Sequence, residues 1–543
     1  MLSYAHGPSD VPLLGETIGQ ALRRTVTRFG DRDALVVRSQ GYRASWRALD
    51  DASARVARGL MASDVAAGDR VGLWSPNRYE WVVTQLACAR IGAILVNLNP
   101  AYKAAELEYA LRQSSTSVLI HARAFRTSDY AAMVAAVRPR LPALRLVLCL
   151  EDDWSALVEQ GEHCSAGELA AREASLQFDD AINIQYTSGT TGFPKGATLT
   201  HHNILNNGYF VGRGCGYTER DRVCIPVPFY HCFGMVMGVL ACVTSGAAMI
   251  IPDEAFDAGS VLDAVAAERC TSLYGVPTMF IAELDHPRLG ELDLTSLRTG
   301  IMAGSPCPVE VMKAVRERMH IRDVTICYGM TETSPVSTQT ALEDPLELRV
   351  STVGRVHPHL EVKIVDEAGR IVSRGQRGEL CTRGYSVMLG YWADDAATAG
   401  AIDRARWMHT GDLAMMNGAG YVNIVGRIKD MIIRGGENIY PREVEEFLHT
   451  HPAIVEAQVI GVPSDKYGEE VVAWIRVKSG VQLGDEELIA FCRGQISTFK
   501  IPRWWKRVDA FPLTVTGKVQ KYRMRELAIV ELGLAPPADE ELA

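Results

Sequence analysis

RVGLWSPNRYEWVVTQLACARIGAILVNLNPAYKAAELEYALRQSSTSVLIH, residues 70–121, alternates two textures. RVGLWS, GAILVNL and TSVLIH are short β-branched or leucine-rich runs and read as strands, separated by the helical stretches 78–90 and 103–113. Alternation of this kind predicts a mostly parallel sheet covered by helices.

The pattern extends in both directions. Upstream, Ile18, Leu22, Val26 and Phe29 recur at helical spacing, and a second helical segment spans residues 48–62. Downstream, INIQYT (182–187), AAMII, SLYGV and VTICYG supply further strands. After about residue 350 the texture shifts to glycine-punctuated strands, LEVKIVDEAG and GELCTRG, which predict a small antiparallel barrel or sheet appended to the large domain. A last change follows GRIKD (426–430): a helix over 441–450, strands over 457–462 and 471–477 and a helix over 485–495 read as a self-contained α+β module. The expected fold is therefore α/β. A large N-terminal domain (1–426) of parallel sheets covered by helices, with the small β-barrel attached, leads through a hinge (427–430) into a small mobile α+β C-terminal domain (431–543).

The 543 residues are 47% hydrophobic and 22% charged, the balance of a globular chain with a sizeable core. The net charge of −9 is spread without long like-charge blocks, which excludes the basic footprint expected of a nucleic-acid binder. Twelve cysteines form no CxxC pair and no zinc-ligand spacing. Most, Cys149 and Cys242 among them, read as buried free thiols, which points to a reducing compartment, the cytoplasm. The start, MLSYAHGPSDVPLLGETIG, shows no basic segment followed by an apolar run, so no secretory signal is read there. The most apolar stretch, residues 235–251, is interrupted by Gly, Ser and Thr and reads as a buried helix running into a strand, not as a transmembrane anchor. A homodimer is compatible with this composition, which does not decide the oligomeric state.

YTSGTTGFPKG, residues 186–196, lies between the strand INIQYT and the helical THHNILNN, where backbone amides and hydroxyls converge on an anion. Gly189, Gly192 and Gly196 permit close backbone approach, Ser188, Thr190 and Thr191 supply hydroxyls, and Lys195 supplies a point charge. The order of a Walker A loop is absent, because Lys195 is followed by Gly196 and not preceded by a glycine. Taken alone, the segment is equally a polar glycine-rich turn.

The string closely resembles the signature of the adenylate-forming superfamily of acyl-CoA synthetases, luciferases and peptide-synthetase adenylation domains. The resemblance continues, in family order, through AGSP (303–306), YGMTE (328–332), TGD (410–412), GRIKD (426–430) and LTVTGK (513–518), and covers residues from roughly 15 to 530. It implies an ATP site built from Thr187, Ser188, Gly189, Thr190, Thr191, Gly192 and Lys195, with Thr190, Thr191 and Lys195 on the β- and γ-phosphates. Gly304 and Ser305 of AGSP would lie along the purine edge, and Tyr328, Gly329, Met330 and Thr331 would hold the adenine, with the Tyr328 ring as its stacking face. Glu332, together with Thr190, would coordinate Mg²⁺. Asp412 can accept hydrogen bonds from both ribose hydroxyls and Arg427 can donate to the same sugar. Each residue alone has an ordinary structural alternative; the joint order carries the inference.

The same resemblance assigns Lys518 to bridge the substrate carboxylate and the α-phosphate, Lys429 to the hinge about which the small domain turns, and Gly435 and Gly436 to the pantetheine tunnel of coenzyme A. The last two could equally form a plain turn before the helix that starts at Pro441. PFYHCFG (228–234) resembles the aromatic–histidine segment of the acyl pocket, where His231 would gate the thiol tunnel or orient the carboxylate and Phe233, Met235 and Gly238 would line the chain. The segment has no Asp to pair with a substrate ammonium, which favours an uncharged acyl chain. The expected function is an ATP-dependent acyl-CoA synthetase for a medium- or long-chain fatty acid, with ATP, Mg²⁺ and coenzyme A as cofactors. Its catalytic set would be Lys518, His231, Glu332 and Thr190. A fatty acyl-AMP ligase loading a carrier protein, a luciferase-like oxygenase and a nucleotide-binding sensor without catalysis are the alternatives.

Overall fold

The computed structural model describes residues 1–187, 194–305, 307–464 and 466–534. Five parallel strands, Ala181–Thr187, Ile94–Asn97, Arg70–Trp74, Val118–His121 and Leu146–Cys149, form one sheet, which Lys195–Thr200 and Gly390–Tyr391 extend antiparallel at one edge. A nine-stranded sheet runs parallel from Asp323–Gly329 through Thr299–Ala303, Ser272–Gly275, Arg222–Cys224 and Ala248–Ile251 to Asp33–Val37. Tyr42–Ser45 closes one edge antiparallel, and Val336–Gln339 and Arg355–Val356 close the other.

The helix Tyr79–Ile91 shows how the sheets are joined. It packs on Ile94–Asn97 of one sheet and Asp33–Val37 of the other, and residues 80–91 are all buried. A helix covered on every side keeps no polar face, which is why its sequence lacks the usual apolar stripe. His201–Gly214 has the same position, against Lys195–Thr200 and Val336–Gln339.

Residues 235–251 form a buried helix running into a strand, with one unforeseen feature. Phe233–Leu240 is wound as a π-helix, continues as the α-helix Ala241–Ser245 and leads into the strand Ala248–Ile251. Gly234 sits so close to its own turn that a Cβ there would lie 2.4 Å from the Pro228 carbonyl oxygen. Among the described residues no helix is long and apolar enough to cross a membrane.

A five-stranded antiparallel sheet follows, in the order Tyr4–His6, Leu360–Val365, Gly378–Gly384, Met408–Met416, Val422–Arg427. Its first strand comes from the N-terminus, where the sequence pattern had indicated none. From Ile432 onward the hairpin Ile454–Ser464/Gly468–Val477 is flanked by Ile432–Arg434 and the parallel strand Trp504–Arg507. Alternate residues feed its two faces: Val459, Val471 and Ala473 pack under the helices Pro441–Leu448 and Asp485–Cys492, while Ile460, Val472 and Trp474 pack under Lys521–Glu531. All twelve cysteines are free thiols, and every one except the half-buried Cys149 is buried.

Candidate active site

The glycine-rich loop does not feed a helix. Ala181–Thr187 turns back into the antiparallel strand Lys195–Thr200, with Thr187 opposite Lys195, and the helix begins only at His201. The misreading has a physical source. Thr200 caps that helix by accepting from the Asn203 backbone N–H at 3.1 Å, while the Asn203 side chain accepts from the Thr200 N–H at 2.8 Å. This capping box is a strong helix-start signal, and it obscured the β-strand directly before it. The strands on either side of the anion loop therefore pair with each other. Ser188, Gly189, Thr190, Thr191 and Gly192 lie outside the described residues.

Thr187, the last described residue before the loop, meets Glu332. The Thr187 hydroxyl donates to Glu332 Oε1 at 3.3 Å, and the Tyr391 hydroxyl donates to the same oxygen at 2.8 Å. The Lys195 ammonium stands 5.3 Å from the Tyr391 ring centre, over its face. Glu332 is 5% exposed and its backbone carbonyl accepts from Met388 N–H at 2.9 Å, so the carboxylate is held from both ends. Both hydroxyls lie on Oε1, and a carboxylate oxygen is the donor type that Mg²⁺ takes. Sequence reading missed Tyr391; it lies outside every motif, and only the pairing of Gly390–Tyr391 with Lys195–Thr200 brings it in.

A second cluster is built around Asp412. Asp412 and Arg427 are cross-strand partners in the antiparallel sheet, and Arg427 Nε lies 3.1 Å from Asp412 Oδ1. The Tyr328 hydroxyl, at the end of Asp323–Gly329, donates to Asp412 Oδ2 at 2.7 Å. Burial raises the Asp412 carboxyl above its ordinary value, and the Arg427 charge opposes that rise. At Gly329 a Cβ would lie 1.8 Å from the Pro335 carbonyl oxygen, so only glycine lets the chain pass there. Met330 N–H donates to the same Pro335 oxygen at 3.0 Å, and Thr331 Oγ1 stands 3.8 Å from Cys232 Sγ.

Gly304 adopts φ +92°, and a Cβ built on it would lie 3.3 Å from Lys518 Cε, so a side chain there would fill the space the lysine uses. Ser305 follows it at the end of this strand–turn. Lys518 reaches this point from the C-terminal module and feels Cys232, Arg427, Glu332 and Asp412 electrostatically; burial is the largest influence and lowers its pKa below the ordinary lysine value.

His231 faces the same space. Burial, reinforced by the Lys518 charge, pulls its pKa down to about 3, so the imidazole is neutral at physiological pH. Its Nδ1 accepts from the Phe233 backbone N–H at 3.2 Å, which places the ring proton on Nε2. The Phe233 ring stacks on Tyr274, centroids 5.5 Å apart. Met235 turns its sulfur toward Asn97 Nδ2 (3.1 Å) and Gln185 Nε2 (3.3 Å), and Gly238 lies against Ile225.

Lys429 is exposed in the 3₁₀ turn Ile428–Asp430 between the antiparallel sheet and the C-terminal module. Gly435 and Gly436, with φ +61° and +86°, form the two-residue tip of the hairpin Ile432–Arg434/Glu437–Ile439, a conformation that glycine adopts without strain. The tip is exposed and anchored by the Gly435 N–H on the Tyr467 carbonyl at 2.8 Å.

Residues 22–392 match the family described as AMP-binding enzyme, and residues 443–518 match the AMP-binding enzyme C-terminal domain. The chain is 48% identical over 544 residues to YngI of Bacillus subtilis (strain 168), a protein named as an acyl-CoA synthetase, covering 96% of this chain and 99% of that one. It is 45% identical over 554 residues to the mitochondrial medium-chain acyl-CoA ligase ACSF2 of Danio rerio, covering 98% and 91% of the two chains. In three dimensions it is similar to the anthranilate CoA ligase AuaEII in complex with anthranoyl-AMP, with a TM-score of 0.87, 26% identity and coverage of 97% and 99%. A cluster around Glu332, another around Asp412, a lysine from the C-terminal module near both, and likeness along nearly the whole chain lead to one conclusion: the chain belongs to the AMP-binding, adenylate-forming enzyme family and is an acid–thiol ligase of the acyl-CoA synthetase class.

Proposed function

We propose that this chain activates a medium- or long-chain fatty acid in the cytoplasm by converting acid and ATP to acyl-AMP and pyrophosphate, and then passes the acyl group to coenzyme A with release of AMP. The observation that carries the reading is the convergence of Lys518, neutral His231, Glu332 and the Asp412–Arg427 pair on one cleft. Tyr328, its hydroxyl pinned on Asp412, offers its ring to adenine. Asp412 accepts from the ribose hydroxyls and Arg427 donates to them. Thr187, Lys195 and the loop between them receive the β- and γ-phosphates, with Gly304 and Ser305 along the base. Glu332 would hold Mg²⁺, which would offset the triphosphate charge. His231 donates its Nε2–H to the substrate carboxylate, and the Lys518 ammonium spans that carboxylate and the α-phosphate as an acid oxygen attacks phosphorus and pyrophosphate leaves. The small domain then turns about Lys429 and brings the Gly435–Gly436 tip to the coenzyme A channel, where thiol attack on the acyl carbon expels AMP.

The direct test supplies ATP, Mg²⁺, coenzyme A and straight-chain acids of graded length. Free coenzyme A is consumed and AMP appears in equal amount; formation of ADP, or an acyl-adenylate that persists in the presence of coenzyme A, overturns the reading.

Acid selectivity is a separate prediction. Residues 229–238 carry no carboxylate, and His231 is uncharged, so nothing there repays the desolvation of a substrate ammonium. Straight-chain fatty acids outcompete amino acids by at least about a hundredfold in kcat/KM. Comparable turnover of any amino acid removes the pocket assignment.

A further inference from the structure

The turn that carries Lys518 is rigid within itself. Thr514 N–H donates to the Lys518 carbonyl at 2.8 Å, Gly517 N–H to the Thr514 carbonyl at 2.9 Å, and Lys518 N–H to Thr514 Oγ1 at 3.0 Å. Such a loop moves as a unit, so the position of the Lys518 ammonium depends on where the whole turn is seated on the large domain. Among the side-chain hydrogen bonds of the described residues, one crosses from the large domain to this turn: Thr278 Oγ1 donates to the Gly517 carbonyl at 3.0 Å. Thr278 belongs to the helix Pro277–Leu284, which leads out of the strand Ser272–Gly275.

The seat is close-fitting. Gly517 has φ +78°, and a Cβ built on it would meet Val276 Cγ2 at 2.9 Å and Thr278 Oγ1 at 3.2 Å, so the backbone of the turn itself lies against the start of the helix. Val276 also faces Gly304, whose own built Cβ comes within 3.2 Å of Val276 Cγ1 and 3.3 Å of Lys518 Cε. Just beyond the helix, the exposed Asp285 stands 3.7 Å from the half-buried Arg476 of the C-terminal module, a surface contact of the kind that contributes little.

We infer that Thr278 is a positioning residue for the adenylation step: its hydroxyl seats the Thr514–Lys518 turn so that the Lys518 ammonium stands in the cleft. It touches no substrate. The bond joins the two modules across a surface that must part when the small domain turns, so it belongs to the adenylating arrangement alone. This inference rests on the role of Lys518 proposed above.

The test measures the two half-reactions separately in Thr278→Val, Thr278→Ser, Asp285→Asn and the double variant Thr278→Val/Lys518→Ala. Valine keeps the shape and removes the hydroxyl. Thr278→Val lowers kcat for acid-dependent pyrophosphate release about tenfold, equivalent to about 1.4 kcal/mol, with KM for ATP unchanged and thioester formation from supplied acyl-AMP unaffected. Thr278→Ser restores the rate, Asp285→Asn leaves it within about twofold, and in the Lys518→Ala background the valine has no further effect. A valine variant that adenylates at the parental rate, that slows both half-reactions equally, or that adds its full loss to that of Lys518→Ala overturns the inference. If Lys518→Ala itself leaves adenylation intact, the reading of Lys518 falls first, and the two failures are told apart.

Discussion

Lys518→Ala slows acyl-adenylate formation a few hundredfold or more, to a residual rate that can still be measured, and leaves the conversion of supplied acyl-AMP to thioester within about twofold of the parent. The asymmetry follows from where charge develops. As the acid oxygen approaches phosphorus, negative charge accumulates between carboxylate and α-phosphate, at the place Lys518 enters beside Gly304 and His231. A preorganised cation there contributes about 3–4 kcal/mol, a loss of a few hundredfold or more in rate when it is removed. Thiol attack on an acyl group already activated as adenylate has no such requirement. The working form is the ammonium, and burial lowers its pKa, so adenylation also declines as pH rises through a value below that of a free lysine. Stopped assays of pyrophosphate release and of thioester from synthetic acyl-AMP check both points. Equal slowing of the two half-reactions would sink the assignment.

Lys429→Pro has the opposite signature: adenylation continues and thioester formation from acyl-AMP falls at least about a hundredfold. Lys429 sits in a 3₁₀ turn, where φ lies near the value a proline ring imposes, so the observed arrangement tolerates the ring. A second arrangement reached by changing φ at this residue does not. The side chain is exposed, so the substitution removes little packing, and an intact melting transition separates a frozen hinge from a damaged fold. Lys429→Ala, which keeps backbone freedom, serves as the control. A proline variant that forms thioester at the parental rate removes the hinge from Lys429.

The sheet-forming alternation of residues 70–121 was readable because strand and helix periods differ in kind, and the strands Arg70–Trp74, Ile94–Asn97 and Val118–His121 fall where the pattern put them. What escaped depended on contacts between distant segments. The strand Lys195–Thr200 was not read, because the Thr200–Asn203 cap that marks the following helix is a local signal, whereas the pairing with Gly390–Tyr391 is not. The strand Tyr4–His6 exists only because Leu360–Val365 offers it an edge. The π-helical winding of Phe233–Leu240 leaves no trace in hydrophobic periodicity when every residue in it is buried. Within the site, residues carried by dense motifs, such as Tyr328, Glu332 and Asp412, were legible as a set. Tyr391 and Thr278 were not, since each is an ordinary residue whose role comes entirely from the partner the fold brings to it.

The burial of the cysteines also bears on redox chemistry. An enzyme that handles a free thiol as substrate is exposed to that thiol's disulfides and holds an activated acyl group beside its own sulfur atoms. Cys232 is next to His231, 3.6 Å from its Nδ1, and burial pushes its thiol up to about 11. At neutral pH that leaves about one thiolate in ten thousand, so the side chain does not intercept the acyl-adenylate ahead of the incoming acceptor. Cys88, Cys307 and Cys381 are pushed up to about 12, and Cys215 and Cys492 to about 11, each with burial as the largest cause. Since exchange proceeds through the thiolate, these protonated and enclosed thiols react slowly with oxidised coenzyme.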